Sequence, residues 1–378
     1  MNNLKKMLGY YKPYMAIFLA DMFFATISAG TALVIPLIVR YITGTLIYKD
    51  SDTIIREILF ILAGLLVLIA VDCYSRFFIG NYGHVMGAKM EYDMRRELFG
   101  HMQKLSFSFY DDAKVGKLMS RITTDLFDIT ELLHHGPENI ILSLLKITGA
   151  LVILSGISGW LTLAAFAVLP VMFIFAYFLN KKMRRAFRRN RETIAEINAQ
   201  IEDNLSGIRV VKSFANEDIE MKKFGVGNDN FLKAKKDSYR YMGTFQSGVG
   251  SFTTLIQVSV IVVGAVLIAN NSLDVSDLIT FLLYIGVFTE PIRTLVDFTE
   301  QFQNGYTGFE RFSEIMDIVP EIRDREGARD IHNVKGSVEF DNVSFRYNDG
   351  IVNVLNNVNL NVEAGKYVAL VGTSGGGK

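Results

Sequence analysis

The sequence predicts an all-α membrane domain of six long transmembrane helices with cytoplasmic extensions, followed by the beginning of an α/β domain. Three observations lead to this fold class. Half of the 378 residues (50%) are hydrophobic, and they are concentrated in long runs. Basic residues cluster beside some of these runs and are missing beside others. After residue 316 the pattern changes to a charged linker and then to the alternation typical of strands.

The overall charge and the cysteine content exclude several classes of protein. Lys plus Arg and Asp plus Glu are both 39, so the net charge gives no bulk attraction to nucleic acid. Cys73 is the single cysteine, which excludes an intrachain disulfide and a cysteine-cluster metal site. Residues 1–13 carry lysines among apolar side chains and have no small-residue cleavage site after them. We interpret them as an interfacial N-terminal helix.

Six apolar segments define the predicted membrane domain, which we place at residues 14–318. A pair of small residues, Ser158 and Gly159, separates the third segment from the fourth and predicts a tight helical hairpin. The last segment is the shortest and weakest. The segments are residues 15–39, 58–71 with a more polar continuation to 79, 140–157, 161–179, 255–269 and 278–288.

The loops between the segments predict the orientation of the chain. Residues 181–191, directly after the fourth segment, are rich in Lys and Arg, whereas the connection 270–277 contains no base. Because basic residues beside a span are retained on the cytoplasmic side, the N-terminus and the C-terminal domain are predicted to be cytoplasmic in the cell membrane. For the basic run we favour a plain topology anchor over a specific site for anionic lipids.

Two long connections are predicted to be helical stalks that extend beyond the membrane. In the first, residues 80–105 carry an apolar stripe at i+4 spacing, a tip follows at 106–116, and a second helix returns. The second repeats this plan, with a break at Ser206 and Gly207 and a tip at 208–217. For the stripe we favour helix packing over metal binding; it comprises Met86, Met90, Met94, Leu98 and Met102.

The C-terminal residues carry the strongest chemical motif. A linker is predicted at 319–336 and the N-terminal fragment of a nucleotide-binding domain at 337–378. Residues 367–371 have the composition of a buried strand and run into a G-x-x-x-x-G-K loop, the opening of an α/β P-loop ATPase domain. Backbone N–H groups of such a loop bind phosphate oxygens, and its lysine reaches the β- and γ-phosphates. The loop is Gly372, Thr373, Ser374, Gly375, Gly376, Gly377 and Lys378.

Taken together, these residues resemble the ATP-binding-cassette (ABC) exporters in which six spans are fused to one nucleotide-binding domain, and the resemblance covers the whole chain. It rests on the stalks, on Ser108, Phe109, Tyr110, Asp111, Val115 and Gly116 with Ser120, Arg121, Ile122 and Asp125, on residues 207–215, and on the Walker A loop. From its position at the end of the strand pattern 343–347, Tyr347 could either stack on adenine or cover the core. The resemblance implies the adenine-stacking role.

The resemblance further implies ATP and Mg²⁺ as cofactors, a second half-transporter chain as partner in a homodimer or heterodimer, and alternating access driven by ATP. It also implies two coupling helices that transmit closure of the nucleotide-binding domains to the spans. Their residues would be Tyr110, Asp111, Asp112, Val115 and Gly116 in the first tip, and Ser213, Phe214, Ala215, Asn216 and Glu217 in the second.

The family's magnesium-binding hydroxyl, signature sequence, Walker B acid and catalytic glutamate would follow Lys378. We therefore expect the 378 residues to be part of a longer protein, and to be inactive in ATP hydrolysis alone. A lipophilic or amphipathic cargo, lipid or drug, is the first expectation. A nucleotide-gated channel or regulatory membrane protein, and the degenerate half of a heterodimeric transporter, are the alternatives.

Charged and histidine side chains in the spans are the remaining candidates. Asp21 and Lys146 are tentative cavity residues, although for Asp21 we favour a position near the interface or a pairing with neighbours. Lys146 is the best candidate for a role in the cavity. For His134 and His135 we favour a solvated helix face over a pH-sensing or metal-binding role.

Overall fold

The computed structural model describes residues 2–346 and 353–371. The chain divides into two compact units. The first comprises residues 1–95 and 123–313, and the second comprises residues 96–122 and 314–378.

Twelve helices are present in the described residues, and six helical segments are long and apolar enough to cross a membrane. The six predicted spans are therefore confirmed. The helices are α1 (Asn2–Gly9), α2 (Met15–Gly44), α3 (Ser51–Phe78), α4 (His84–Met102), α5 (Phe107–Asp112), α6 (Val115–Ser120), α7 (Leu126–Ile157), α8 (Gly159–Phe166), α9 (Leu169–Ser206), α10 (Ile208–Ser213), α11 (Glu217–Ala269) and α12 (Val275–Met316). Two π-helical turns, Ile79–Gly83 and Arg121–Asp125, lead into α4 and α7.

Local signals in the sequence explain several helix boundaries. The Asp50 carboxylate accepts a hydrogen bond from the Thr53 N–H (2.9 Å) and caps the start of α3. Ser158 ends α7 and caps α8 through the Leu161 N–H, which confirms the predicted hairpin. The fourth span consists of two helices, because Pro170 lacks the N–H needed to continue α8 and lies in the first turn of α9.

The sixth span shows why hydropathy underestimates buried helices. It has the lowest mean hydropathy of the six, yet 56% of its apolar 18-residue stretch is buried, which is the largest share. The apolar run 278–288 marks only part of this helix, because α12 runs for 42 residues. A helix that contacts protein along most of its length does not need an uninterrupted lipid-facing surface, so it tolerates polar residues.

The core of the first unit lies where α8, α9, α11 and α12 pack together. Phe281, Tyr284 and Phe288 of α12 are fully buried in it, and the Tyr284 hydroxyl donates a hydrogen bond to the Leu33 carbonyl. A glycine permits a close approach nearby, since a Cβ at Gly149 would lie 2.4 Å from Leu33 Cδ1. Tight contacts at small residues are the usual way that membrane helices pack.

The methionine stripe faces the interior along its whole length. Met86, Met90, Met94 and Leu98 have no exposed surface, and Met102 is 6% exposed. The expected packing role is therefore confirmed.

The strands of the second unit form one antiparallel hairpin. β1 (Val338–Phe345) pairs with β2 (Leu355–Val362), with Val338 opposite Val362 and Phe340 opposite Leu360. The alternation at 338–345 correctly predicted β1. Residues 367–371, expected to form a buried strand, are not a strand and are exposed. The physical reason is that a buried strand needs neighbours, and no described strand lies beside them.

Candidate functional site

The predicted nucleotide site lies outside the described residues. Tyr347 and the loop Gly372 to Lys378 belong to the stretches 347–352 and 372–378. Their assignment to adenine and phosphate binding stays a prediction of the sequence.

The first stalk tip contains α5 and the start of α6. Tyr110 lies in the second half of α5, and its hydroxyl donates a hydrogen bond to the Met102 carbonyl (2.7 Å). Ser108 donates to the carboxylate of Glu321 (3.0 Å). Phe107 and Val115 point outward, with 85% and 70% of their surface exposed. The tip therefore presents apolar side chains on its surface.

The second tip is built in a similar way around α10. Ser213 ends this helix, Phe214 is 72% exposed, and Ala215 has a positive φ of 48° that turns the chain toward α11. Lys212 pairs with Glu217 (2.8 Å) across this turn. A cavity of about 270 Å³ beneath the tip is lined mainly by apolar side chains of α9, α10 and α11, among them Ile201, Leu205, Ile208, Met221 and Phe224.

Most charges within the spans have partners on another helix or on the next helical turn. Lys146, the tentative cavity residue on α7, forms an ion pair with Glu290 on α12 (3.2 Å). Arg40 on α2 pairs with Asp277 on α12 (2.6 Å). Sequence reasoning missed Arg40, Asp277 and Asp72, whose carboxylate accepts hydrogen bonds from Ser28 (2.8 Å) and Arg76 (2.7 Å). In the sequence, each of these three residues stands at the edge of an apolar run, which is the pattern that could have identified them.

Asp21 and His134 lie deep inside the protein. Asp21 has no exposed surface and His134 is 2% exposed, so the solvated-face expectation is wrong for His134. The physical reason is that α7 turns this ring toward α2, where its Nδ1 lies 3.9 Å from Asp21 Oδ2. His135 is half-buried and close to two glutamates. Sequence reasoning missed His84 on α4, whose ring contacts both of these histidines.

The basic run after the fourth span lines a cavity of about 440 Å³ between α9 and α12. Arg184 donates a hydrogen bond to the Val296 carbonyl (3.1 Å) and pairs with Glu300 (3.3 Å). The other basic residues of the lining are Lys181, Arg185, Arg188 and Arg191. The role of this run as a topology anchor stays a prediction.

Residues 18–292 match the family model described as the ABC transporter transmembrane region. The uncharacterized ABC transporter ATP-binding protein YwjA of Bacillus subtilis (strain 168) is 36% identical over 99% of the chain and 64% of its own length. The putative multidrug export ATP-binding/permease protein YgaD of the same organism is 29% identical over 100% and 66%. A putative multidrug export ATP-binding/permease protein of Staphylococcus aureus (strain NCTC 8325 / PS 47) is 31% identical over 99% and 66%. The chain thus spans about two thirds of the length of these relatives.

Proposed function

Because the chain belongs to the family of ABC transporter transmembrane regions, we propose that the whole protein is an ATP-driven exporter of lipophilic or amphipathic molecules. It acts in the cell membrane with the N-terminus and nucleotide-binding domain in the cytoplasm. It pairs with a second half-transporter chain and uses ATP with Mg²⁺. Nucleotide binding closes the paired domains and favours an outward-open cavity, and hydrolysis resets it.

The observation that carries this proposal is the length of the spans. α11 has 53 residues, which at about 1.5 Å per residue gives a helix of about 80 Å, against about 30 Å for the bilayer core. More than half of such a helix lies outside the membrane. A helix of this length can transmit a movement at its tip to the spans.

The surface of the tips supports a coupling role. Phe107 in the first tip and Phe214 in the second are large aromatic side chains that are mostly exposed. Exposed apolar side chains in an aqueous region mark interaction sites when they are grouped with others. We propose that each tip rests on a nucleotide-binding domain, through the coupling residues named above.

The pairing of charges in the spans supports an apolar cargo. Lys146 and Arg40 both form ion pairs with carboxylates. Neither therefore offers an unpaired positive charge to a strongly ionic substrate. Two relatives carry the words multidrug export in their names. A lipid or a lipophilic drug fits both facts.

The proposal is tested by ATP hydrolysis of the full-length protein in lipid nanodiscs, with and without lipophilic compounds. We expect hydrolysis that these compounds stimulate, and we expect Lys378→Ala to abolish it because the phosphates lose their lysine. Lys366→Ala is the matched control, since this exposed lysine precedes the loop, and it should retain activity. Tight ATP binding without hydrolysis would contradict an autonomous pump and favour a gated channel or a degenerate heterodimer half.

A further inference from the structure

A group of three histidines lies between α4 and α7. One ring nitrogen from each of His84, His134 and His135 lies within 4.8 Å of the other two. His84 Nδ1 and His134 Nε2 are 3.2 Å apart. The exposure of the three side chains differs, because His84 is exposed, His135 half-buried and His134 buried. The group is therefore open on one side and closed on the other.

We propose that these three histidines bind a divalent transition-metal cation of the zinc class. Zinc–nitrogen bonds of about 2.0–2.1 Å in a tetrahedral site hold two ligand nitrogens about 3.3 Å apart. The observed 3.2 Å between His84 and His134 matches that spacing. Imidazole nitrogen is a preferred ligand of Zn²⁺, Co²⁺ and Ni²⁺. The open side at His84 leaves room for a water molecule as fourth ligand.

A buried carboxylate on a third helix supports the proposal independently. Asp21 on α2 has no exposed surface, and neither of its carboxylate oxygens has a hydrogen-bond partner among the described residues. A buried carboxylate without a counter-charge is costly. Its Oδ2 lies 3.9 Å from His134 Nδ1, the nitrogen that faces away from the group. Metal-binding histidines usually direct that second nitrogen to a carboxylate.

His135 has the same kind of environment. Its Nδ1 lies 3.3 Å from the carboxylate of Glu138, and its Nε2 lies 3.6 Å from that of Glu131. Whichever nitrogen of His135 turns to the cation, the other faces a carboxylate. Each of these two histidines thus has a carboxylate beside a ring nitrogen, at hydrogen-bond distance for His135 and at 3.9 Å for His134.

The backbone also makes room for the group. A Cβ at Gly83 would lie 2.3 Å from His134 Cε1 and 2.9 Å from Asp21 Oδ1, so only glycine fits there. Gly83 ends the π-helical turn Ile79–Gly83, which comes directly before His84. Such turns are rare and often occur at functional sites. A bound cation would join α4 to α7 at this point.

The experiment measures Zn²⁺ binding by calorimetry on the full-length protein in nanodiscs, after removal of any histidine tag. The background is Cys73→Ser, because Cys73 is an exposed thiol that would bind zinc itself. We expect stoichiometric binding and, with Co²⁺, the visible absorption of a nitrogen-ligated ion. Loss of the carboxylates that support a metal ligand lowers affinity about 10–100-fold, so His84→Ala, which removes a ligand, should lower it by at least about 100-fold.

Two further variants make the result specific. His332→Ala removes an exposed histidine outside the group and should leave the affinity unchanged. Asp21→Asn keeps the shape of the side chain and should weaken binding about 10–100-fold without removing a ligand. Size-exclusion profiles show whether each variant is folded. Unchanged Zn²⁺ affinity in folded His84→Ala, or an equal loss in His332→Ala, would overturn the proposal. Both results are measured as Zn²⁺ binding and not as ATP hydrolysis. A failure of the proposed metal site can therefore be distinguished from a failure of the proposed exporter function, on which it does not rest.

Discussion

Arg311 on α12 donates two parallel hydrogen bonds to the carboxylate of Asp125, from Nε to Oδ2 (2.7 Å) and from a terminal nitrogen to Oδ1 (2.6 Å). Asp125 closes the π-helical turn before α7 and is 8% exposed in its side chain. A two-point contact of this kind fixes orientation as well as distance. It holds the last span, α12, against the third, α7.

Removal of the arginine should destabilise the protein. Arg311→Ala leaves the Asp125 carboxylate buried without its two donors, and we expect the free energy of unfolding to fall by about 2–3 kcal/mol, below the range for fully buried pairs because Arg311 is 38% exposed. The measurement is denaturation in detergent followed by circular dichroism. Arg325→Ala, at an exposed position, is the control and should cost less than about 0.5 kcal/mol. Equal losses in both variants would contradict the role of the pair.

The same two helices approach each other closely at a glycine. A Cβ at Gly305 would lie 2.5 Å from Leu132 Cβ and 2.7 Å from the Asp128 carbonyl oxygen. Gly305→Ala should therefore destabilise the protein by about 1–3 kcal/mol through overpacking.

Gly286 is the matched control, because it lies on the same helix and no described atom would be within 4 Å of its Cβ. Gly286→Ala should be neutral or stabilise by up to about 1 kcal/mol, since alanine favours the helix. Thermal unfolding of both variants checks the contrast. A Gly305→Ala protein as stable as the parent would show that α7 and α12 separate easily there.

The spans could be predicted from the sequence because lipid imposes a simple requirement. A helix in hydrocarbon must be long and apolar, and α3, which is the least buried of the six, has the clearest apolar run. α12 was underestimated for the opposite reason, because protein contacts replace lipid along most of its length. Hydropathy measures exposure to lipid and carries no information on contacts between helices.

The contacts between helices could not be predicted, because they depend on register. The sequence predicts a solvated face for His134, yet the side chain is buried beside Asp21, more than a hundred residues earlier in the chain. In the sequence, His84 stands fifty residues before His134, so no local pattern links it to the other two histidines. Only the packing of α4 against α7 brings the three together. The same holds for Arg40 and Asp277.

The proposed coupling role predicts an uncoupled variant at the second tip. Phe214 is 72% exposed, so Phe214→Ala should leave the melting temperature within a few degrees of the parent. Loss of an aromatic anchor at a domain contact costs about 2 kcal/mol or more. We expect stimulation of ATP hydrolysis by lipophilic compounds to fall about tenfold or more, while ATP binding is retained.

Leu232→Ala serves as control for that variant. Leu232 lies on α11, several turns beyond the tip, and is 48% exposed. It should retain full stimulation. If Phe214→Ala retains it too, the tip does not transmit closure through this side chain.

The ion pair between Lys146 and Glu290 predicts how the cavity responds to charge. The lysine side chain is 20% exposed and the glutamate 69%, so the lysine is the more enclosed of the two. In Lys146→Met the apolar stem is kept, but the cationic group is lost and Glu290 is left with an uncompensated negative charge that repels an anion. We expect the concentration of an anionic amphiphile that half-maximally stimulates ATP hydrolysis to rise about tenfold, the equivalent of about 1.4 kcal/mol. Stimulation by an uncharged lipophile should not change.

Lys49 provides the matched control, since it lies in the connection between α2 and α3 and forms a similar pair with Glu57 near the start of α3 (2.8 Å). Lys49→Met should not alter the response to either compound, because Lys49 lies before the first residue of α3. Equal responses of the two variants to the anionic amphiphile would show that Lys146 does not face the cargo. A change in the response to both compounds would instead indicate that the pair acts on the helix packing, since loss of a structural contact does not discriminate by ligand charge.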